Sequence, residues 1–178
     1  MRVDVHNRKQ MAVLNPRENT WVISIHTPGD DPATLREGWE RVDRFCFSDI
    51  AGDNSEIMLW VRDLEAKGRK VTLFDREMAN AIREIIALAR FKQKDIIVHC
   101  DAGVSRSQAV ARFAREVFGA DVVSHTIQTD MHCNGLVVRH LFRLIWDASP
   151  NFVAHKGTYR WEPPQDMENE AYDALLPS

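Results

Sequence analysis

Apolar residues recur along the chain in short dense runs that alternate with longer amphipathic segments. The runs at 21–25, 42–47 and 96–99 are rich in β-branched and aromatic residues, which is typical of strands. The segments at 74–89 and 108–118 carry apolar residues three or four positions apart, which is typical of helices with one buried face. Strands that alternate with helices predict an α/β fold, with a central, mainly parallel sheet flanked by helices on both faces.

Weaker patterns predict further elements in the first forty residues. Val3 and Val5 alternate with polar residues and predict a short edge strand. Residues 8–14 have a weak helical pattern. Asp31 followed by Pro32 is typical of an N-cap and a first helical position, so a helix is predicted to begin there.

Three helix boundaries are predicted further along the chain. Apolar positions within 55–70 predict a short helix that ends at the Lys67-Gly68-Arg69 break. Thr72 and Asp75 form a loose capping box, which predicts that the next helix begins at this point. Asn134 is a candidate N-cap for a last helix.

The length of 178 residues is that of one domain of ordinary size with its own core. We expect this domain to occupy residues 1–155. Residues 156–178 form a polar tail, in which Met167, Ala171 and Leu175 have the spacing of a small docking helix.

Charge and composition exclude several classes of protein. The net charge of −3 and the isoelectric point of about 6.2 argue against a nucleic-acid partner. Apolar runs are too short for a membrane span or a signal peptide, so no membrane partner is expected. The three cysteines have no disulfide-framework spacing, which favours a cytoplasmic protein with reduced thiols. Nothing in the composition indicates an oligomeric state.

The clearest chemical signal lies between the run at 96–99 and the helix at 108–118. Residues 99–107 read His-Cys-Asp-Ala-Gly-Val-Ser-Arg-Ser. Where a strand, a tight loop and a helix follow one another, backbone N–H groups point into one concavity and bind anions. The amides expected to line it belong to Asp101, Ala102, Gly103, Val104 and Ser105.

Side chains at the two ends of this loop supply reactive groups. Cys100 ends the strand, and the field of a helix N-terminus beside a cation favours its nucleophilic thiolate form. Arg106 offers a planar fork for two oxygens of a phosphate. Ser107 can donate a hydrogen bond to the sulfur, and His99 is expected to lie under the loop and to order it. The pattern indicates a site that holds and attacks a tetrahedral oxyanion.

This string resembles the Cys-x5-Arg signature of the cysteine-dependent protein phosphatases, in particular the dual-specificity branch. A wider resemblance, from about Trp21 to Trp146, is to small phosphatase-like proteins of bacteria and phages. The resemblance implies that residues 1–155 are a catalytic domain that hydrolyses phosphate monoesters through a phosphocysteine. It implies a phosphorylated protein (at Tyr, at Ser/Thr or at both) or a small phosphate ester as substrate, and neither a metal nor another cofactor.

The resemblance also implies a general acid, which must protonate the departing oxygen of the ester. In the family this acid is an aspartate on a loop after a strand that neighbours the active one. Asp49 directly follows the run at 42–47 and is the expected acid, with Asp53 and the more distant Asp63 as rivals. The separation from Cys100 is long, which an insertion over about 51–70 would explain.

Alternative functions use the same loop. A phosphoinositide phosphatase or an RNA 5′-phosphatase would have a more basic rim, which the acidity of the chain disfavours. A non-catalytic phosphate-binding module would keep the cradle without the acid. A sulfurtransferase or an arsenate reductase would not need Asp49.

A few other residues have two interpretations each. Asn134 matches a family asparagine that braces the active loop, but a plain N-cap explains it equally well. Cys46 and Cys133 are expected to be apolar fillers, with a reversible disulfide to Cys100 as the alternative. The basic side chains of the last helix are either a solvated face or a surface that steers phosphate: Arg139, His140 and Arg143.

Overall fold

The computed structural model describes residues 1–126, 133–146, 152–155 and 158–161, of which residues 144–146 and both later ranges are described by their backbone alone. The strands are β1 (Arg2–Asn7), β2 (Thr20–His26), β3 (Arg41–Cys46), β4 (Asp95–Cys100), β5 (Asp121–Ser124), β6 (Phe152–His155) and β7 (Thr158–Trp161). The helices are α1 (Arg8–Val13), α2 (Asn54–Ala66), α3 (Arg76–Phe91), α4 (Arg106–Phe118) and α5 (Gly135–Trp146).

The predicted fold class is confirmed. Five strands form one sheet in the order β3-β2-β4-β1-β5, and every described pairing in it is parallel. Strand β4 lies in the middle, so the loop that follows it opens at the centre of the carboxyl edge, where ligands bind in parallel α/β sheets.

The two faces of the sheet are covered differently. Residues such as Ile23 and Val98 point to one face, where they form the main core with the apolar sides of α3, α4 and α5. Val22 and Ile97 alternate to the other face, where Met11 of α1 packs on them. The large core thus anchors α4, the helix that follows the active loop.

Two predictions for the first forty residues are wrong. Strand β1 is not at the edge, because β5, which the pattern did not predict, pairs with its outer side. No helix begins at Asp31. Residues 31–36 have no regular secondary structure, and Gly38 adopts a left-handed φ of +103°, which a helix cannot continue through.

The predicted helix at 55–70 is confirmed as α2, although its packing differs from the prediction. Ile57 is buried, whereas Leu59 and Trp60 are 66% and 55% exposed. The capping box at Thr72 is wrong: the N-cap of α3 is Asp75, whose Oδ1 accepts the Met78 N–H at 2.9 Å.

Near the C-terminus, β6 and β7 pair as an antiparallel hairpin, and β7 runs beside α4. The predicted boundary between residues 155 and 156 falls after the last residue of β6. The predicted helix through Met167, Ala171 and Leu175 lies outside the described residues. Among the helices that are described, none has both the length and the apolar character needed to cross a bilayer.

Candidate active site

The predicted loop joins the end of β4 to the start of α4, and its shape depends on Gly103. This residue has a φ of +75°, and a Cβ there would lie 2.8 Å from the carbonyl oxygen of His6 and 3.0 Å from the amide nitrogen of Asn7. Its own carbonyl accepts hydrogen bonds from Thr126 Oγ1 at 2.6 Å and from Gln108 Nε2 at 2.9 Å. Only glycine fits this close approach between the loop and the end of β1.

The sulfur of Cys100 lies at the base of the loop and receives hydrogen bonds from it. The Gly103 N–H donates to Sγ at 3.3 Å, and the hydroxyl of Ser107 is 3.2 Å from Sγ. The side chain of Ser105, the N-cap residue of α4, makes no capping hydrogen bond, so it does not occupy the first N–H groups of the helix. These groups remain able to serve a bound anion.

The guanidinium of Arg106 is buried and held from two sides. Nη1 donates to the carbonyl of Phe47 at 2.6 Å, and Nη2 donates to Asp101 Oδ2 at 2.6 Å and to Thr27 Oγ1 at 3.1 Å. Nε has no hydrogen-bond partner among the residues described here. The guanidinium is therefore fixed in orientation, and its Nε–H is left for a ligand.

Asp49 lies at the rim of the loop. Its Oδ1 accepts hydrogen bonds from Ser105 Oγ at 2.7 Å and from Asn134 Nδ2 at 2.8 Å, and Oδ2 is 3.7 Å from Arg106 Nε. The side chain is 38% exposed, so it is open to solvent and to a ligand.

Asn134 caps α5 and also contacts the loop that carries Cys100. Its Oδ1 accepts the Val137 N–H at 3.0 Å and caps α5, while its backbone N–H donates to the Ser105 carbonyl at 3.3 Å. Its Nδ2 donates to Asp49 and, at 3.1 Å, to the Ile50 carbonyl. These bonds connect α5 to the loop that follows Cys100 and to the segment that carries Asp49.

The two rival aspartates are engaged elsewhere. Asp53 is the N-cap of α2, where its Oδ1 accepts from Ser55 Oγ at 2.6 Å and from the Glu56 N–H at 3.0 Å. The hydrogen bond from the Ser55 side chain lowers the pKa of Asp53, which makes it a poorer proton donor. Asp63 forms an exposed ion pair with Lys67. Of these three carboxylates, only Asp49 contacts the loop that carries Cys100.

Two groups that hold Arg106 were not predicted from the sequence: the carboxylate of Asp101, for which only a backbone role was expected, and the hydroxyl of Thr27. Asp101 Oδ2 accepts from Thr27 Oγ1 at 2.7 Å as well as from Arg106. Burial opposes ionisation of Asp101, but the hydrogen bonds from Thr27 and Arg106 outweigh it and lower its pKa. The sequence did contain a signal for this contact: an acidic residue inside an anion-binding loop requires a cationic partner.

His99, which was expected to order the loop, is buried near the end of β4, with 1% of its surface exposed. By strand alternation its side chain points to the sheet face opposite Cys100, and His6 is its neighbour on β1. Burial lowers the pKa of both histidines to about 4, so both are neutral at pH 7. Neither ring forms a hydrogen bond to any other described residue.

Asp4, His6 and His125 offer ligand atoms within 4.8 Å of one another, in metal-binding range. Asp4, however, already pairs with Arg17 at 2.6 Å and with Arg2 at 2.9 Å. The two imidazoles are stacked at 4.3 Å with an interplanar angle of 8°, so their in-plane lone pairs do not converge on one point. The cluster fits an ion-pair network better than a metal site.

The arrangement as a whole can bind a tetrahedral oxyanion above a nucleophilic sulfur. Amides of the loop and the free Nε–H of Arg106 are the donors, and a carboxyl group lies at the entrance. No protein-family model, curated protein or solved structure matched this chain. The family resemblance therefore depends on the residues of the loop and on this geometry.

Proposed function

We propose that this protein is a cysteine-dependent phosphatase of the dual-specificity type that hydrolyses phosphate monoesters, with phosphoproteins as the substrate class. The observation that carries the proposal is one constellation. Cys100 Sγ accepts loop hydrogen bonds, the unpartnered Nε of Arg106 lies above the same loop, and Asp49 Oδ2 is 3.7 Å from that nitrogen. Nucleophile, oxyanion donor and proton donor thus share one small site.

In the first step, Cys100 Sγ attacks the phosphorus in line with the departing oxygen. The S–P bond forms while the ester P–O bond breaks. Loop amides and Arg106 hold the equatorial oxygens, on which the charge is spread. Asp49 gives its proton to the departing oxygen.

In the second step, water attacks the phosphocysteine. Asp49, now a carboxylate, accepts the proton of the water as the new P–O bond forms and the S–P bond breaks. Ser107, 3.2 Å from the sulfur, donates a hydrogen bond that stabilises the departing thiolate. Inorganic phosphate and the free enzyme are the products, so the cycle needs no redox partner.

The position of Asp49 favours this reaction over the other uses of such a loop. Transfer of sulfur and reduction of arsenate require an oxyanion cradle and a thiolate but no proton donor for an ester oxygen. Two hydrogen bonds, from Ser105 and Asn134, hold the Asp49 carboxyl at the rim of the cradle. A phosphate-binding module without catalysis has no use for a carboxylate there, because it would repel the ligand.

Hydrolysis of p-nitrophenyl phosphate in the presence of a chelator tests the proposal. We expect turnover by the wild-type protein and none by Cys100→Ser. Cys46→Ser is the matched control, since Cys46 is partly buried at the end of β3 and should keep activity. Mass spectrometry of acid-quenched turnover should find a phosphate adduct on Cys100. Activity that persists in Cys100→Ser would refute the mechanism.

A further inference from the structure

A groove of about 860 Å³ lies between the N-terminus of α2 and one side of α5. None of the roles proposed for the loop uses it. Its lining residues are Asp53, Asn54, Ser55, Leu136, Arg139, His140, Phe142 and Arg143. The groove is thus part apolar, from Leu136 and Phe142, and part basic.

The groove begins beside the candidate active site. Asn134, the N-cap of α5, holds Asp49 and the carbonyl of Ile50, and Leu136 follows it by two residues. Arg139, also on α5, donates from Nη2 to the carbonyl of Gly52, which precedes α2, at 2.5 Å. The groove therefore adjoins the segment that carries Asp49.

Two guanidinium groups, of Arg139 and Arg143, and one carboxylate, of Asp53, line this surface, which leaves one net positive charge. Arg139 is exposed and donates its hydrogen bond to a neutral carbonyl. Asp53 caps α2 and stays ionised, and its charge interacts with that of Arg139. Burial lowers the pKa of His140, so its ring is neutral at pH 7 and the positive charge comes from the arginines.

Helix geometry sets the reach of a substrate along this groove. At about 1.5 Å per residue, Arg139 lies about 7.5 Å and Arg143 about 13.5 Å along the α5 axis from Asn134. An extended peptide advances about 3.3 Å per residue. When a phosphorylated residue is bound by the loop, a side chain about two positions away would therefore lie beside Arg139. One about four positions away would lie beside Arg143.

We infer that this groove binds the chain of a phosphoprotein substrate and that Arg139 selects an acidic side chain about two residues from the phosphorylated one. The inference rests on the proposed function and names its substrate: an acidic phosphopeptide segment. Leu136 and Phe142 contact the apolar parts of that segment. A small phosphate ester would not reach the groove.

The test compares phosphopeptides that carry either Asp or Ala about two positions from the phosphorylated residue. An exposed ion pair changes affinity by up to about fivefold, so we expect the wild type to favour the acidic peptide about threefold to fivefold in kcat/KM at low ionic strength. Arg139→Gln should abolish this preference, and Arg139→Glu should reverse it. Lys9→Glu, on the exposed side of α1, is the control and should keep it. For each variant, the kcat/KM for a peptide is divided by the kcat/KM for p-nitrophenyl phosphate. A loss of folded protein lowers both values equally and does not change the ratio.

Binding to Cys100→Ser, followed by fluorescence anisotropy of labelled peptides, separates this inference from the proposed function. An acidic preference that requires Arg139 supports the groove whether or not turnover occurs. Equal binding of acidic and neutral peptides overturns the groove assignment, even if p-nitrophenyl phosphate is hydrolysed. A preference that Lys9→Glu also removes would overturn it as well, because the effect would then be one of net charge.

Discussion

Adding a single methyl group at Gly103 should damage both the stability of the protein and the active loop. Gly103 has a φ of +75°, and an added Cβ would lie 2.7 Å from Thr126 Cγ2 and 2.8 Å from the His6 carbonyl oxygen. Real Cβ atoms essentially never approach other atoms so closely. Because His6 belongs to β1 inside the sheet, its backbone has little freedom to yield.

The magnitude has two parts. A left-handed φ costs alanine about 1–2 kcal/mol. Forcing an extra carbon into a packed site costs about 1–3 kcal/mol more. We therefore expect Gly103→Ala to lower the free energy of unfolding by about 2–5 kcal/mol. A shift of the loop by tenths of an ångström should also reduce kcat/KM for p-nitrophenyl phosphate about tenfold or more.

Gly119→Ala is the matched control, because it separates the backbone effect from the clash. Gly119 ends α4 with a φ of +63°, and an added Cβ there would meet nothing within 4 Å. Urea denaturation should show a loss of about 1 kcal/mol in this variant, with kcat/KM unchanged. Equal destabilisation of the two variants, or wild-type activity in Gly103→Ala, would refute the steric argument.

Three further outcomes follow from the site. Asp49→Asn should lower kcat about 10²-fold or more for phosphate esters with poor leaving groups and much less for p-nitrophenyl phosphate; equal losses would contradict the acid role. Asp101→Ala should raise the inhibition constant of inorganic phosphate about tenfold, since it frees the Arg106 guanidinium to rotate, and an unchanged constant would show that Asp101 does not position Arg106. Because burial lowers the pKa of His99 to about 4, its unfolded form binds more protons below pH 6.5. His6, beside it on β1, has the same shift, so the free energy of unfolding should fall by about 2 kcal/mol for each histidine, about 4 kcal/mol in all, between pH 7 and pH 5. A flat urea midpoint over this range would contradict it.

The sequence by itself determined the fold class and the local structure of the loop. Strands 21–25 and 96–99 are dense apolar runs, and the sheet buries them on both faces, so their patterns leave little choice of structure. The nine residues from His99 to Ser107 are contiguous, and a strand, a tight turn and a helix start are local structures. For that reason the hydrogen bonds around Cys100 could be expected before any tertiary contact was known.

The tertiary structure alone decided which distant groups meet the loop. Thr27 and the Phe47 carbonyl hold Arg106 only because β2 and β3 lie on the same side of β4 and end at the same edge. The pairing of β1 between β4 and β5 depends on contacts over about 90 and 120 residues, which alternation of apolar residues does not encode. The groove beside α5 also depends on contacts between residues far apart in the sequence, because α2 and α5 both line it. Local patterns determine elements, whereas the order of strands determines which side chains share an edge.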